Sequence, residues 1–98
     1  MSEGVRTDAA QQHLNEVTFS VFIMSLYTSA VVSLGESPDP TTGQTEASLP
    51  HAKQIIDVLG ILREKTRGNL DREEDALLNG LLYELRMRYL QKTNQIKL

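Results

Sequence analysis

The chain has 98 residues, 40% of them hydrophobic, 23% charged and 5% aromatic, with no tryptophan, which allows one domain of about 80 ordered residues with an aliphatic core. A net charge of -3 gives no global basis for nucleic-acid binding, which requires clustered Lys and Arg. The lack of cysteine excludes disulfides, thiolate metal sites and thiol catalysis, and fits a cytoplasmic location.

The opening residues 1–17 read as a polar tail without the basic stretch and cleavable apolar run of a secretory signal. A single helical domain is expected over 18–91, followed by a short basic C-terminal tail over 92–98. Its first helix should run from Thr18, as N-cap, to Leu34, with Gly35 at the position after the helix where positive φ is needed. From Val17 to Gly35 no residue is charged, and the segment is apolar or small on every side. Such a helix is expected to be buried all round, which demands more cover than two further helices supply. Its nineteen residues reach roughly 28 Å, just short of a ~30 Å hydrocarbon layer, yet acids flank it and no cation stands near to anchor it.

Next comes ESPDPTTGQTEASL, residues 36–49, whose prolines, glycine and hydroxyls are turn chemistry. This long loop is expected to be ordered and packed across helix ends, with Leu49 tucked in. Ser48 or Leu49 should cap a second helix, with Pro50 in its first turn and a stop at Gly68. Ala52, Ile55, Ile56, Val58, Leu59 and Leu62 fall within about 160° of its arc and define the inward face.

Asp71 opens a third helix with Glu74 three residues on, a capping-box spacing, and the pattern carries to about Leu90 or beyond. Here two apolar stripes appear. Leu77, Leu78, Leu81, Leu82, Leu85 and Tyr89 form one; Ala76, Gly80, Tyr83, Met87 and Leu90 form the other. Two stripes ask for two neighbours. Glu84 and Arg88 are spaced for an i,i+4 pair. The fold class that follows is all-α: an apolar first helix, a long Pro/Gly loop and a C-terminal helical hairpin, completed by self-association.

Catalytic chemistry finds little to work with. Ser25, Ser29 and Ser33 lie along one edge of the first helix, where small side chains let another backbone come close and hydroxyls can bond their own helix. As nucleophiles they lack a base, since His13 and His51 have no sequence relation to them. Glu36, Asp39 and Glu46 make the loop acidic without the alternating ligand spacing of a calcium loop. His51 lacks a zinc-binding companion at i+3 or i+4, and no glycine motif for phosphate occurs. The acids at 71 and 73–75 share a first turn, where the helix dipole favours negative charge.

No enzyme, metal or cofactor is therefore expected. The expected role is that of a small helical interaction or structural protein, homo-oligomeric with a dimer as first choice, through Ser25, Ser29, Ser33, Ala76, Gly80, Tyr83, Met87 and Leu90. An unidentified protein partner is the other class considered. The main alternative is membrane association through 17–35, and a second is weak nucleic-acid binding through Arg86, Arg88, Lys92 and Lys97. Finally, FSVFIMSL, LGESPDPTTGQTE, LPHAKQIIDVLGIL, EKTRGNL and LLYELRMRY together resemble the bacterial domain-of-unknown-function 1844 family over Phe19 to Tyr89. That resemblance implies a small, mostly helical bacterial protein and supplies no catalytic or binding residue.

Overall fold

The structure is a computed structural model that describes residues 16–97, with side-chain surroundings through Asn94. Most of the expected N-terminal tail lies outside the described residues. Three helices follow in order: α1 (Phe19–Ser33), α2 (Leu49–Lys65) and α3 (Arg72–Lys97). Each packs against the other two. The all-α, three-helix expectation is met.

Local signals set the helix ends. Thr18 takes an extended conformation and its hydroxyl accepts from the Val21 N–H at 3.1 Å, so α1 begins with one of its orphan donors satisfied. At the far end Gly35 has φ 78°, and a Cβ there would stand 2.9 Å from the Cβ of Ala47. Only glycine meets both conditions. Pro50 sits in the first turn of α2, where Ser48 is the cap residue without a side-chain hydrogen bond. Gly68, at φ 85°, carries the short turn into α3. There Asp71 and Glu74 form the reciprocal box: the Glu74 N–H donates to Asp71 Oδ1 at 2.8 Å, and the Asp71 N–H to Glu74 Oε1 at 3.0 Å.

Residues 92–97 are not a tail; they continue α3 to Lys97. Nothing in QKTNQIK breaks a helix, and Lys92 is held from outside by Glu36 at 3.5 Å.

The core is where the inward faces converge. Ile23, Leu34, Leu59, Leu78, Leu82 and Leu85 are its largest fully buried side chains. Ala30, Ala52, Ile55, Ile56 and Leu81 complete it, with Tyr27, Leu49, Leu62, Leu77 and Tyr89 partly buried around them. Val58 departs from the expected face and is exposed, because it lies at the edge of the α2 arc beyond the reach of α1 and α3. Burial all round is also not what α1 shows within one chain. Only Ile23, Ala30 and Ser33 of the helix are buried, while Val21, Phe22 and Met24 face outward.

The loop from Glu36 to Ser48 is an ordered connection. A turn closes with the Gly43 N–H on the Asp39 carbonyl at 2.7 Å and the Asp39 N–H on the Gln44 carbonyl at 2.8 Å. The Asp39 carboxylate accepts from the Thr41 N–H at 2.8 Å. Its end is pinned to α1 by the Ser48 N–H on the Ser33 carbonyl at 2.7 Å, and Leu49 packs against the core as expected.

Candidate interaction surfaces

The outer stripe of α3 is fully formed and, among the described residues, uncovered. Ala76 and Gly80 are exposed, and the larger members show 68% (Tyr83), 42% (Met87) and 53% (Leu90) of their surface. A helix interior disfavours glycine by about 1 kcal/mol relative to alanine, so a mid-helix glycine usually serves a close approach. Gly60 of α2 does: a Cβ there would lie 3.1 Å from Arg86 Nη2. At Gly80 a Cβ would meet nothing within 4 Å among the described residues.

The serine edge of α1 divides. Ser25 and Ser29 are exposed, whereas Ser33 is buried beneath the start of α2. The Ser25 hydroxyl donates to the Phe22 carbonyl at 2.7 Å and that of Thr28 to the Met24 carbonyl at 3.0 Å, so these polar groups are satisfied within the helix. The outward side of α1 is thus uncharged and partly apolar, through Val21, Phe22 and Met24.

One charged cluster joins distant parts of the chain. The Tyr27 hydroxyl donates to Glu84 Oε2 at 2.8 Å, linking α1 to α3. The Arg88 guanidinium bonds the same oxygen at 2.8 and 2.9 Å and also pairs with Glu36 in the loop. The hydrogen bond to Glu84, together with burial and the Glu84 charge, raises the Tyr27 phenol above its ordinary range. For Arg88 burial acts to lower the guanidinium, and the bonds to Glu84 and the charge of Glu36 more than reverse it. These side chains are only partly buried, so each ion pair contributes about 1 kcal/mol or less. Their role is to fix where the loop and α1 sit against α3.

This cluster changes the reading of the basic C-terminal residues. Arg88 and Lys92 are committed to Glu36 and Glu84, and Arg86 lies over Gly60. The Lys97 side chain lies outside the described residues. What looks like a run of cations along the sequence is therefore spread over different sides of α3 and largely neutralised.

Glu84 and Arg88 were legible from their spacing, but nothing local pointed to Tyr27 or Glu36, which are 57 and 52 residues from their partners. A second unforeseen feature is Arg63, whose Nη1 donates to Asn79 Oδ1 at 3.2 Å while its Nε is buried without a partner.

Among the described residues, depressions mark the α2 side. One of about 250 Å³ lies between α2 and α3 at Ile56, Tyr89 and Leu90, smaller than a typical ligand pocket. Two open ones of about 480 and 490 Å³ run past His51 and past Gly60 and Ile61, rimmed by charged side chains. Among the described residues no three His, Asp or Glu side chains group as a metal site. No described helix is long and apolar enough to cross a membrane; α1, at 15 residues, spans about 22 Å.

These features define a small three-helix domain with an ordered loop and an uncovered apolar stripe. The chain belongs to the family described as Domain of unknown function (DUF1844), whose model matches residues 16–91. Neither the curated proteins nor the solved structures gave a match.

Proposed function

We propose that this is a non-catalytic, cytoplasmic interaction protein that works as a homo-oligomer, a dimer in the simplest case. The observation that carries this reading is the outer stripe of α3, where Tyr83, Met87 and Leu90 stand exposed along one line with Ala76 and Gly80. Scattered surface apolar residues are ordinary, but a continuous stripe along a helix is a contact surface waiting for a neighbour. The exposed, uncharged side of α1 adds a second area of the same character.

Membrane association has less support. A helix lying in a lipid interface uses Lys and Arg on its polar face, and α1 carries no charge between Glu16 and Glu36. Nucleic-acid binding is weakened by the neutralisation of Arg88 and Lys92. Light scattering over a dilution series tests the proposal. A mass above that of one chain, falling as the protein is diluted, is expected; a single-chain mass at every concentration sinks it.

A further inference from the structure

The α3 stripe does more than call for a neighbour; its order of side chains fits one in particular. Ala76, Gly80, Tyr83, Met87 and Leu90 recur at alternating intervals of four and three, the spacing of a coiled-coil seam. Its first four positions are symmetric about the point between Leu81 and Leu82, with Leu90 falling opposite Glu73. Reversing it lays Ala76 on Met87 and Gly80 on Tyr83, so each small position meets a large one.

We propose that two copies pair through antiparallel α3 helices on a two-fold axis at Leu81–Leu82, with Tyr83 of each copy seated over Gly80 of the other. This inference rests on the proposed self-association and specifies its geometry. It gives Gly80 the close approach that nothing among the described residues supplies. The exposed Tyr83 ring would lie against bare helix backbone.

Charge selects the same orientation. The first turn of α3 is acidic through Glu73, Glu74 and Asp75, whereas its later turns carry Arg86, with Arg88 and Lys92 already held by Glu36 and Glu84. Antiparallel pairing sets the acidic first turn of one helix toward Arg86 of the other, and opposes the two helix dipoles. Arg86 then falls near Asn79 and Asp75 of the partner subunit. A parallel pair would stack Gly80 on glycine, Tyr83 on tyrosine and one acidic turn on another. The rest of the domain leaves room for the pairing, because the inner stripe at Leu78, Leu81, Leu82 and Leu85 is already filled by α1 and α2. An isologous contact of this kind closes on itself and stops at two copies.

Engineered thiols decide the geometry, since the chain has no cysteine of its own. Ala76→Cys and Met87→Cys are made in separate full-length chains, and a mixed sample is oxidised beside each variant alone. A disulfide needs Cα atoms within about 7 Å. In the antiparallel pair residue 76 lies beside residue 87 of the partner, while the two copies of residue 76 are about 16 Å apart along the helix. The expected result is a disulfide-linked dimer in the mixed sample only. A linked dimer from either variant alone means a parallel pair and overturns the inference. The pair Glu73→Cys and Leu90→Cys gives the same readout should either first variant fail to show the wild-type far-UV CD spectrum. No cross-link from the folded variants, with wild type self-associating by light scattering, also overturns it and leaves the proposed function standing on another surface. A monomeric wild type overturns both.

Discussion

α3 shows the same helix solving two different problems on opposite sides. Its inner stripe is almost all leucine, and Leu78, Leu82 and Leu85 are sealed between α1 and α2. The outer stripe runs Ala, Gly, Tyr, Met, Leu and stands exposed among the described residues. Uniform side chains suit a core filled from two directions by interdigitating neighbours, whereas a graded small-to-large series suits a partner presenting the same series reversed. Apolar periodicity locates contact faces without saying whether the contact is within the chain or between chains.

The largest effect expected from breaking this comparison is on the inner side. Leu85→Ala removes a fully buried side chain and should cost about 2–5 kcal/mol in urea unfolding. A cost within about 0.5 kcal/mol, the ordinary range for surface positions, would contradict the assignment of that stripe to the core.

Gly80→Ala sharpens the outer side. Within one chain the new methyl meets nothing, so unfolding measured at high dilution should be harder by about 1 kcal/mol. Self-association, by contrast, should weaken. Gly60→Ala should stabilise less, because its methyl must displace Arg86 Nη2 from 3.1 Å. Equal gains at both positions would remove the distinction between a glycine used within the chain and one left over for a partner.

A smaller effect is expected where α1 is tied to α3. Tyr27→Phe loses the hydrogen bond to Glu84 at a partly exposed site and should cost about 1 kcal/mol near neutral pH. Because the folded state raises the Tyr27 phenol, its contribution is present in full below the ordinary tyrosine value of about 10. It is lost as pH rises through the higher folded value. The gap between wild type and Tyr27→Phe should therefore narrow in strongly alkaline solution. Urea melts across that range check this, and a gap that widens there would contradict the bond.

Much of the fold was legible because it is written locally. Thr18, Gly35, Pro50, Gly68 and the Asp71–Glu74 box each act within a few residues, and the structure has all of them in the expected places. Facial patterns were legible at their centres and unreliable at their edges, as Val58 and Ser33 show: one is exposed from an expected inward arc, the other, expected at a contact between copies, is buried within its own chain. The Glu36–Arg88 and Tyr27–Glu84 links were illegible because they depend on where the loop and α1 come to rest. The same cluster explains why the basic C-terminal run misled: sequence proximity of cations says nothing about acids that arrive from elsewhere. The candidate stripe at 76–90 was legible in full, since one uninterrupted helix carries it.

The account's central claim is that the outer side of α3 is a contact between copies. Tyr83→Glu places a charge in the middle of that stripe at an exposed position, where the cost to the single chain should stay within about 0.5 kcal/mol. The most direct measurement is the mass of wild type and Tyr83→Glu by light scattering over the same dilution series. The account predicts that wild type dissociates only on dilution and that Tyr83→Glu is a folded monomer throughout; identical masses at every concentration would contradict it.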